Sequence, residues 1–499
     1  MNSLWTSTSN TRSGFESLKG TEVADVAVVG GGITGVTTAL RLAEAGMSVA
    51  LVESARIGAG NTGRSTGNLY ATLSHGLATL LGKWGEETLR SVVRLRGEAV
   101  AQIARDVETL RLDCDFERVD LHIGLEQEAG DALQALREEF AALALAGLAP
   151  DWVEPPLAMA SGRMLRIRGQ AQCNPCAYVQ ALAAQAQRRG ARLFEEARVI
   201  DIDASDGRVR TTDGEISAGA IVIATHSPIG FNLVQAEMQP CIEYGISARV
   251  EAGAMPSGIF WFRDGEHSLR RYRHAGVEHL VVIGEPHRTG EQEPEAVRLE
   301  RLRGFARRHF GVETFEHCWS AQQLRSADGL PYIGRSAHDN VFIATGFAAD
   351  GLTWGTVAAG LIRDLVQDKG NPAVDLLSPR RLTPVKSAKG WAEENAAVVK
   401  HLVGDRLRQV EPASLSSVAP GQGKLVDHQG KTFAVYRASD GTLTVLSPVC
   451  PHLRCHVAWN PEQPGWDCPC HGSRFHPDGR VLDGPALSDL ERLRLEDAR

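Results

Sequence analysis

Four residues near the end of the chain have the side chains and the spacing of a metal centre. Cys450 and His452 lie two positions apart, and Cys468 and His471 follow as a second pair three positions apart. Both pairs lie in a stretch rich in Pro and Gly, which predicts loops. Two loops that each supply a thiolate and an imidazole can hold a mixed-ligand iron–sulfur cluster. The same four side chains also suit a tetrahedral zinc ion, so the ligand set by itself leaves both metals open.

The pattern C-x-H followed by C-x-x-H resembles that of Rieske proteins. The resemblance implies that Cys450 and Cys468 bind one iron of a [2Fe-2S] cluster, and that His452 and His471 bind the other. Replacing two anionic thiolates by neutral imidazoles makes such a cluster easier to reduce, with potentials of about −150 to +300 mV.

Further residues extend this resemblance beyond the ligands. It implies a disulfide between Cys455 and Cys470 that ties the two cluster loops together, and a closing loop at 484–486. It also implies that the Ser473 hydroxyl bonds a cluster sulfide and raises the potential. Phe475 stands where the family has a hydrogen-bonding tyrosine, so we expect an intermediate potential. The extra cysteine pair and the closing loop favour the iron–sulfur interpretation over zinc.

A second motif lies near the start of the chain. A short apolar run at 25–29 leads into Gly30-Gly31-Gly32-Ile33-Thr34-Gly35, a helical pattern, and a second strand that ends at Glu53. In such a G-x-G-x-x-G turn the glycines allow a tight turn, close approach of a diphosphate to the backbone, and close packing of helix on strand. The acidic residue at the end of the second strand is placed to accept hydrogen bonds from ribose hydroxyls. The segment therefore predicts a dinucleotide site.

Later segments indicate FAD as the dinucleotide. The Gly/Ser/Thr-rich loop 57–68, the strand 221–225 and the segment 328–355 resemble the glycine-oxidase and D-amino-acid-oxidase family of flavoproteins. His226 departs from that family, which usually has Gly there, and this leaves the turn geometry open. The residues that the resemblance implies as FAD ligands are Gly30, Gly32, Ile33, Thr34, Gly35, Glu53, Ser54, Thr66, Val199, Gly346, Gly351, Leu352 and Thr353.

The two resemblances together predict an α/β (α+β) flavoprotein with a C-terminal extension. We expect a Rossmann-like FAD-binding domain with an inserted antiparallel-sheet substrate domain, followed by a small all-β Rieske domain. The expected boundaries are a flexible N-terminal tail at 1–22, an FAD-dependent oxidoreductase at 23–368 with FAD-binding parts at about 23–80, 170–235 and 320–368, a linker with an amphipathic helix at 369–409, and the Rieske domain at 410–499.

The middle of the chain should hold the substrate. Helical patterns over 80–111 and 131–145 predict scaffold helices, and four segments at 241–250, 258–262, 269–273 and 279–284 predict strands of the substrate sheet. In one of these strands Arg271 faces one side and Tyr272 the other. An inward arginine could bind a substrate carboxylate, although a solvated sheet face explains the pattern equally well. His75, in a loop that approaches the flavin in relatives, is a third catalytic candidate beside an ordinary packing role.

Composition and hydropathy give weaker evidence about function than the motifs do. The 499 residues carry 53 basic and 61 acidic side chains, a net charge of −8, so no basic surface predicts nucleic-acid binding. No apolar run reaches the length of about 18 residues that a membrane span needs. The polar N-terminus does not have the pattern of a secretory signal, and we expect a cytoplasmic protein whose external electron partner is soluble.

These patterns predict an FAD- and [2Fe-2S]-dependent oxidoreductase that acts on a CH–NH or CH–OH group. A small substrate, an amine or amino acid, would give a hydride to flavin N5, and the electrons would pass singly to the Rieske cluster and then to a soluble acceptor. Two alternatives stay open. In one, the Rieske domain feeds electrons to a flavin that reduces substrate. In the other, the protein is a non-catalytic redox or electron-transfer protein with a closed flavin face.

Overall fold

The computed structural model describes residues 3–9, 14–127, 129–230, 232–289, 293–381, 383, 386–387, 415–428, 430–461 and 463–494. Within these residues no helix is long and apolar enough to cross a bilayer. The helices in chain order are α1 (Leu4–Thr8), α2 (Ile33–Glu44), α3 (Leu77–Thr109), α4 (Gly130–Leu145), α5 (Pro175–Arg188), α6 (Glu295–Phe310), α7 (Gly351–Val366) and α8 (Val374–Leu377). The two long scaffold helices begin and end within three residues of their predicted bounds.

The strands form two large sheets before residue 346 and two small sheets after residue 422. The strands of the large sheets are β1 (Gly20–Val29), β2 (Val49–Val52), β3 (Asn68–Leu69), β4 (Glu117–Leu125), β5 (Asp151–Val153), β6 (Ser161–Gln172), β7 (Arg192–Phe194), β8 (Val199–Asp203), β9 (Arg208–Thr211), β10 (Gly214–Ile223), β11 (Met238–Val250), β12 (Ile259–Phe262), β13 (His267–His274), β14 (Val277–Arg288), β15 (His317–Ser326), β16 (Tyr332–Arg335) and β17 (Val341–Thr345). Those of the small sheets are β18 (Gly423–His428), β19 (Lys431–Arg437), β20 (Leu443–Leu446), β21 (Ala458–Asn460), β22 (Gly465–Asp467), β23 (Arg474–Phe475) and β24 (Val481–Asp483).

The first sheet carries the dinucleotide motif. Its strand order is β16-β17-β10-β1-β2-β7, and the strands from β17 to β7 are parallel. The continuous apolar runs 26–29 and 49–52 are buried, as expected for parallel strands covered on both faces. Helices α5 and α7 both pack on α2, beside this sheet. The arrangement confirms the predicted Rossmann-like domain.

The second sheet is the inserted one. Its order is β15-β11-β14-β13-β12-β4-β6-β3, with β5 beside β6, and all pairs except β12–β4 are antiparallel. Helix α6 packs on β11 and β14 and closes an apolar layer on one face. Strands β11 and β15 lead from the first sheet into the second, so their residues lie between the dinucleotide motif and the inserted domain.

The C-terminal part is all-β, as predicted. Strands β18, β19 and β20 form one antiparallel sheet, and β21 to β24 form another. Upstream, Arg381 is held against the flavin domain by both carboxylate oxygens of Asp328, at 2.8 and 2.9 Å. The amphipathic helix expected at 391–403 lies outside the described residues.

The N-terminal segment corrects one prediction. Residues 3–9 do not form a free tail, because Leu4 and Trp5 are fully buried. The indole N–H of Trp5 donates to the Ser65 carbonyl at 2.6 Å, and the Ser3 hydroxyl donates to the Gly63 carbonyl. The polar composition of residues 1–22 concealed this contact, since a single large aromatic side chain is enough to anchor a short helix.

Candidate cofactor and substrate sites

A cleft of about 470 Å³ lies at the carboxyl ends of the parallel strands, where this class of sheet binds nucleotides. Helix α2 begins there, with Gly32 as a cap that has no side chain; the Thr62 hydroxyl accepts from the Ile33 N–H at 3.0 Å, and the N–H groups that follow can meet an anionic group. Gly30 adopts a positive φ of 108°, and a Cβ at that position would lie 2.6 Å from the Ala224 carbonyl oxygen. The cradle therefore fits a dinucleotide diphosphate. The predicted FAD ligands that line the cleft are Gly30, Gly32, Ile33, Thr34, Glu53, Ser54, Thr66, Val199, Gly351 and Leu352.

Three predicted ligands lie elsewhere. Gly35 is a packing residue, because a Cβ there would lie 1.9 Å from the Gly30 carbonyl oxygen. Gly346 lines the neighbouring cavity, and Thr353 is buried without lining the cleft. His226 adopts a positive φ of 65°, so the backbone keeps a left-handed conformation where the family has glycine.

Glu53 is oriented by the backbone around it. Its carboxylate accepts hydrogen bonds from the Gly31 N–H at 2.7 Å and from the Ala55 N–H at 2.9 Å. Burial raises the pKa of Glu53, and these two N–H groups oppose the rise. A carboxylate held in this way fits the hydroxyls of the adenosine ribose.

Helix α7 begins at the other end of the cleft. Asp350 precedes it, but the Asp350 side chain does not cap the helix. Instead it accepts from the Tyr70 hydroxyl at 2.6 Å and from the Ser74 N–H at 3.2 Å, and it lies 3.7 Å from the Arg96 guanidinium. The Asp350 side chain thus leaves the N–H groups at the helix N-terminus unoccupied, and a flavin bound beside them would meet a positive helix end, which favours the reduced, anionic ring.

A second cavity of about 510 Å³ adjoins the cleft. The two share several wall residues, including Thr66, Glu243, Gln323 and Phe347. Aromatic side chains such as Trp261 and Phe262 form part of the remaining wall. A molecule in this cavity would therefore lie next to the end of the cleft at which helix α7 begins.

A polar array crosses the shared wall. Cys241 on β11 pairs with Gln323 on β15, so the residues two positions away, Glu243 and Arg325, lie on the same face. The Gln323 amide donates to the Glu243 carboxylate, and its oxygen accepts from the Arg325 Nε at 3.3 Å. Burial raises the pKa of Glu243, while Gln323 and then Arg325 oppose the rise. The sequence interpretation missed this array, although alternating polar residues in an apolar strand were the available signal.

The catalytic candidates divide between the cavity and the scaffold. His75 lines the cavity, and burial lowers its pKa to about 4 against the opposing charge of Asp350, so the ring is neutral near pH 7. Arg271 does not reach the cavity and donates to Glu117 at 3.2 Å. Tyr272 donates to Asp115 at 2.6 Å and packs on the N-terminal segment. The catalytic assignment of Arg271 and Tyr272 is therefore corrected: both side chains are bound by carboxylates outside the cavity, although His267 and Ser268 at the start of the same strand line it.

The four predicted metal ligands converge in the C-terminal domain. The Cys450 and Cys468 thiols are buried and hydrogen-bond each other. The His452 and His471 rings lie 5.0 Å apart. The other cysteines of the two loops form a disulfide, Cys455–Cys470, which leaves two thiols and two imidazoles as donors.

The imidazole nitrogens fit iron ligation. The Gln235 amide nitrogen donates to the carbonyls of Pro228 and Gly230, at 2.7 and 2.9 Å, so its oxygen must face His452 Nε2 at 3.0 Å. Nε2 is therefore the protonated nitrogen of His452, and Nδ1 keeps its lone pair for a metal. The Nδ1 of His471 is buried and has no hydrogen-bond partner among the described residues. Both Nδ1 atoms are thus available to one cluster.

Ser473 and the closing loop complete the cluster site. The Ser473 oxygen accepts from the Ala486 N–H at 3.1 Å and hydrogen-bonds the Cys450 sulfur. The hydroxyl therefore lies beside one of the sulfur ligands, and the loop 484–486 is fastened to it.

The cluster domain also forms part of the FAD cleft. Asp483, Gly484 and Leu487 line the cleft together with the dinucleotide motif. The Gly230 N–H donates to the Pro485 carbonyl at 3.0 Å, which joins the closing loop to the flavin domain. The two cofactor sites therefore share a wall within one chain.

Comparisons with known proteins agree with both sites. The FAD dependent oxidoreductase family matches residues 25–365, and the Rieske [2Fe-2S] domain matches residues 409–494. The Rieske 2Fe-2S iron-sulfur protein YhfW of Bacillus subtilis (strain 168) is 31% identical over 97% of this chain and 96% of its own length. Gamma-glutamylputrescine oxidoreductase of Escherichia coli (strain K12) is 25% identical over 73% of this chain and 88% of its own length.

The solved structures show the same fold for the flavin domain. Glycine oxidase from Geobacillus kaustophilus superposes with a TM-score of 0.62 at 22% identity, over 72% of this chain and all of that chain. The cofactors of this protein are FAD and a Rieske [2Fe-2S] cluster. The chain belongs to the FAD-dependent oxidoreductase family and carries a C-terminal Rieske domain.

Proposed function

We propose that this oxidoreductase oxidises a small amine or amino acid and passes the electrons singly through its own Rieske domain to a soluble acceptor. The observation that carries the proposal is the 510 Å³ cavity beside the flavin end of the FAD cleft. A non-catalytic electron carrier would have no use for such a cavity. The names of two relatives, gamma-glutamylputrescine oxidoreductase and glycine oxidase, support a CH–NH substrate.

Arg325 supplies the carboxylate-binding group in this proposal. No carboxylate among the described residues lies within 4.0 Å of its guanidinium nitrogens, and its Nε contacts only the Gln323 amide oxygen. A guanidinium can bind a substrate carboxylate through two parallel hydrogen bonds. The positive charge thus favours an amino acid over a simple amine.

Glu243 supplies the complementary group for the substrate nitrogen. An amine must be neutral before it can lose a hydride from the adjacent carbon. A substrate that binds as the ammonium ion must therefore first lose one proton. The Glu243 carboxylate takes that proton at one of its oxygens, since its raised pKa makes it a better base than an exposed carboxylate. FAD, when bound, supplies the hydride acceptor at N5. Gln323 is buried and Glu243 and Arg325 are half-buried, and the aromatic walls reduce the contact of the reacting atoms with water.

The test is an anaerobic titration of the purified holoprotein with a panel of amino acids and amines. We expect one class to bleach the flavin absorbance and then to produce the low-temperature EPR signal of a reduced Rieske cluster. Arg325→Gln should raise the KM for amino acids by at least tenfold and leave amines without a carboxylate unaffected, whereas Arg325→Lys should retain part of the affinity. If no compound reduces the flavin but a reduced ferredoxin fills first the cluster and then the flavin, the reductase alternative replaces this proposal.

A further inference from the structure

One glutamine of the flavin domain touches both cofactor sites. The Gln322 side chain lines the FAD cleft, and its amide nitrogen donates to the Gly472 carbonyl at 3.1 Å. Gly472 directly follows His471, one of the cluster ligands. The backbone carbonyl of Gln322 accepts from the Asn61 side chain at 2.6 Å, and Asn61 belongs to the glycine-rich loop that also lines the FAD cleft. A single residue thus joins the FAD loop to the second cluster loop.

A second glutamine holds the first cluster loop. Gln235 is 3% exposed, and two backbone carbonyls fix its amide nitrogen, so its oxygen accepts from His452 Nε2. The same turn of the flavin domain donates from the Gly230 N–H to the Pro485 carbonyl. The His452 ring therefore contacts the flavin domain of its own chain, and His471 is the sequence neighbour of Gly472, which also contacts it.

Peripheral contacts support the same docked position. Arg198, which lines the cleft, pairs with Asp489 at 2.7 Å. On the opposite side of the interface, the Gln463 side chain donates to the Ser320 hydroxyl. The interface therefore extends beyond the cleft and does not depend on one hydrogen bond.

We infer that Gln235 and Gln322 are positioning residues that hold the cluster against the FAD cleft, so that electrons pass between flavin and cluster within one chain. The inference rests on the proposed function for the origin of the electrons. In each transfer the reduced flavin loses one electron and the oxidised [2Fe-2S] cluster gains it. An external one-electron acceptor must oxidise the cluster before the second electron can follow. No second copy of the chain is needed to complete the site.

The two glutamines should act differently. A hydrogen bond from the distal ring N–H to an acceptor makes a histidine ligand more basic, which favours the oxidised metal. Gln235→Leu should therefore raise the cluster potential as well as weaken docking. Gln322 contacts only a backbone carbonyl of the cluster loop, so Gln322→Leu should leave the potential unchanged and weaken docking alone. If both residues only stabilised the fold, the cluster potential and the rate of cluster reduction would change in the same way in both variants.

The experiment uses the full holoprotein and reduces the flavin by light with EDTA as electron donor, so no substrate is needed. Flavin bleaching is followed by absorbance, and cluster reduction by freeze-quench EPR. An EPR redox titration gives the cluster potential. We expect the equilibrium constant for docking to fall about fivefold for each single variant and about 25-fold for the double variant, because the loss of one hydrogen bond changes an equilibrium by about that factor. The rate of cluster reduction follows the docked fraction, so it should fall most in the double variant.

Control measurements separate docking from misfolding. Gln187→Ala, exposed on α5, should match the wild type in every readout. FAD and iron content should be unchanged in all variants. Gln322→Glu keeps the side-chain shape but cannot donate to Gly472 when it is ionised. It should therefore slow cluster reduction as Gln322→Leu does. The wild-type rate should be independent of protein concentration.

Three outcomes would overturn the inference. One is a cluster-reduction rate that rises in proportion to protein concentration, which would indicate transfer between chains. Another is an unchanged rate in the double variant. The third is an equal shift of potential in the Gln235 and Gln322 variants. Failure of every amine to reduce the flavin in the substrate titration would instead overturn the proposed function and leave these light-driven results intact.

Discussion

Replacing Trp5 with Ala tests whether the N-terminal helix supports the FAD site. Trp5 is fully buried, its indole N–H donates to Ser65, and its ring lies 4.7 Å from the Arg270 guanidinium carbon. Truncating a buried tryptophan typically costs about 3–5 kcal/mol. Ser65 lines the FAD cleft, so the change should weaken FAD binding as well as folding. Arg270, itself 1% exposed, would also lose the aromatic face that covers its charge.

The expected shift in melting temperature follows from the size of the flavin domain. With an unfolding entropy of about 2.1 cal/mol/K per residue, residues 14–381, about 370 in number, give about 0.8 kcal/mol/K. Dividing the lost stability by this entropy predicts a fall in Tm of about 4–6 °C for Trp5→Ala. Circular dichroism of the apoprotein measures this fall, and fluorescence titration with FAD measures the accompanying rise in Kd.

Trp5→Phe is the matched variant. It keeps most of the buried ring and loses the N–H donor, so it should cost about 1 kcal/mol and lower Tm by about 1 °C. If Trp5→Ala melted at the wild-type temperature and bound FAD with the wild-type Kd, the N-terminal segment would contribute nothing to the site. The burial argument would then be wrong.

Three further changes probe the cluster, the substrate cavity and the flavin helix. Ser473→Ala removes the hydroxyl beside the Cys450 sulfur and should lower the cluster potential by about 60 mV for a hydrogen bond worth about 1.4 kcal/mol, as measured by EPR redox titration. Burial raises the native pKa of Glu243 above its usual 4.5, so between these two pKa values the native state binds a proton that the unfolded state has lost. The free energy of unfolding of the apoprotein should therefore fall as pH rises from 4.5 through the native pKa, as measured by urea unfolding. Glu243→Gln should lack this fall. Arg96→Met removes the positive charge beside the buried Asp350 carboxylate and leaves it with only the neutral donors Tyr70 and Ser74. The free energy of unfolding in urea should fall by about 3 kcal/mol. A fall below about 1 kcal/mol would contradict the buried pairing.

Local spacing was sufficient for the parts of both sites that lie close together in the chain. The turn from Gly30 to Gly35, its flanking strands and Glu53 define a dinucleotide site because one strand–turn–helix–strand unit supplies every group. The cluster ligands from Cys450 to His471 are likewise contained in two neighbouring loops. Fold class and cofactors followed from these units together with the resemblance of the later segments.

The substrate array required long-range strand pairing. Glu243 and Arg325 come together because β11 pairs with β15, and no local spacing relates them. Arg271 looked more suggestive because four polar or charged residues stand in sequence there, but only the start of β13 reaches the cavity, and Arg271 pairs with Glu117 outside it. Composition likewise concealed the anchoring of the N-terminal segment by Trp5.

The sequence by itself determined that this protein has an FAD site and a Rieske cluster site, because each is built from residues that are neighbours in the chain. Only the tertiary structure decided how the two sites face each other. Gln235 and Gln322 reach the cluster loops across separations of 217 and 150 residues. Contacts of that range depend on how two separately formed domains pack, and side-chain periodicity within either domain carries no information about that packing.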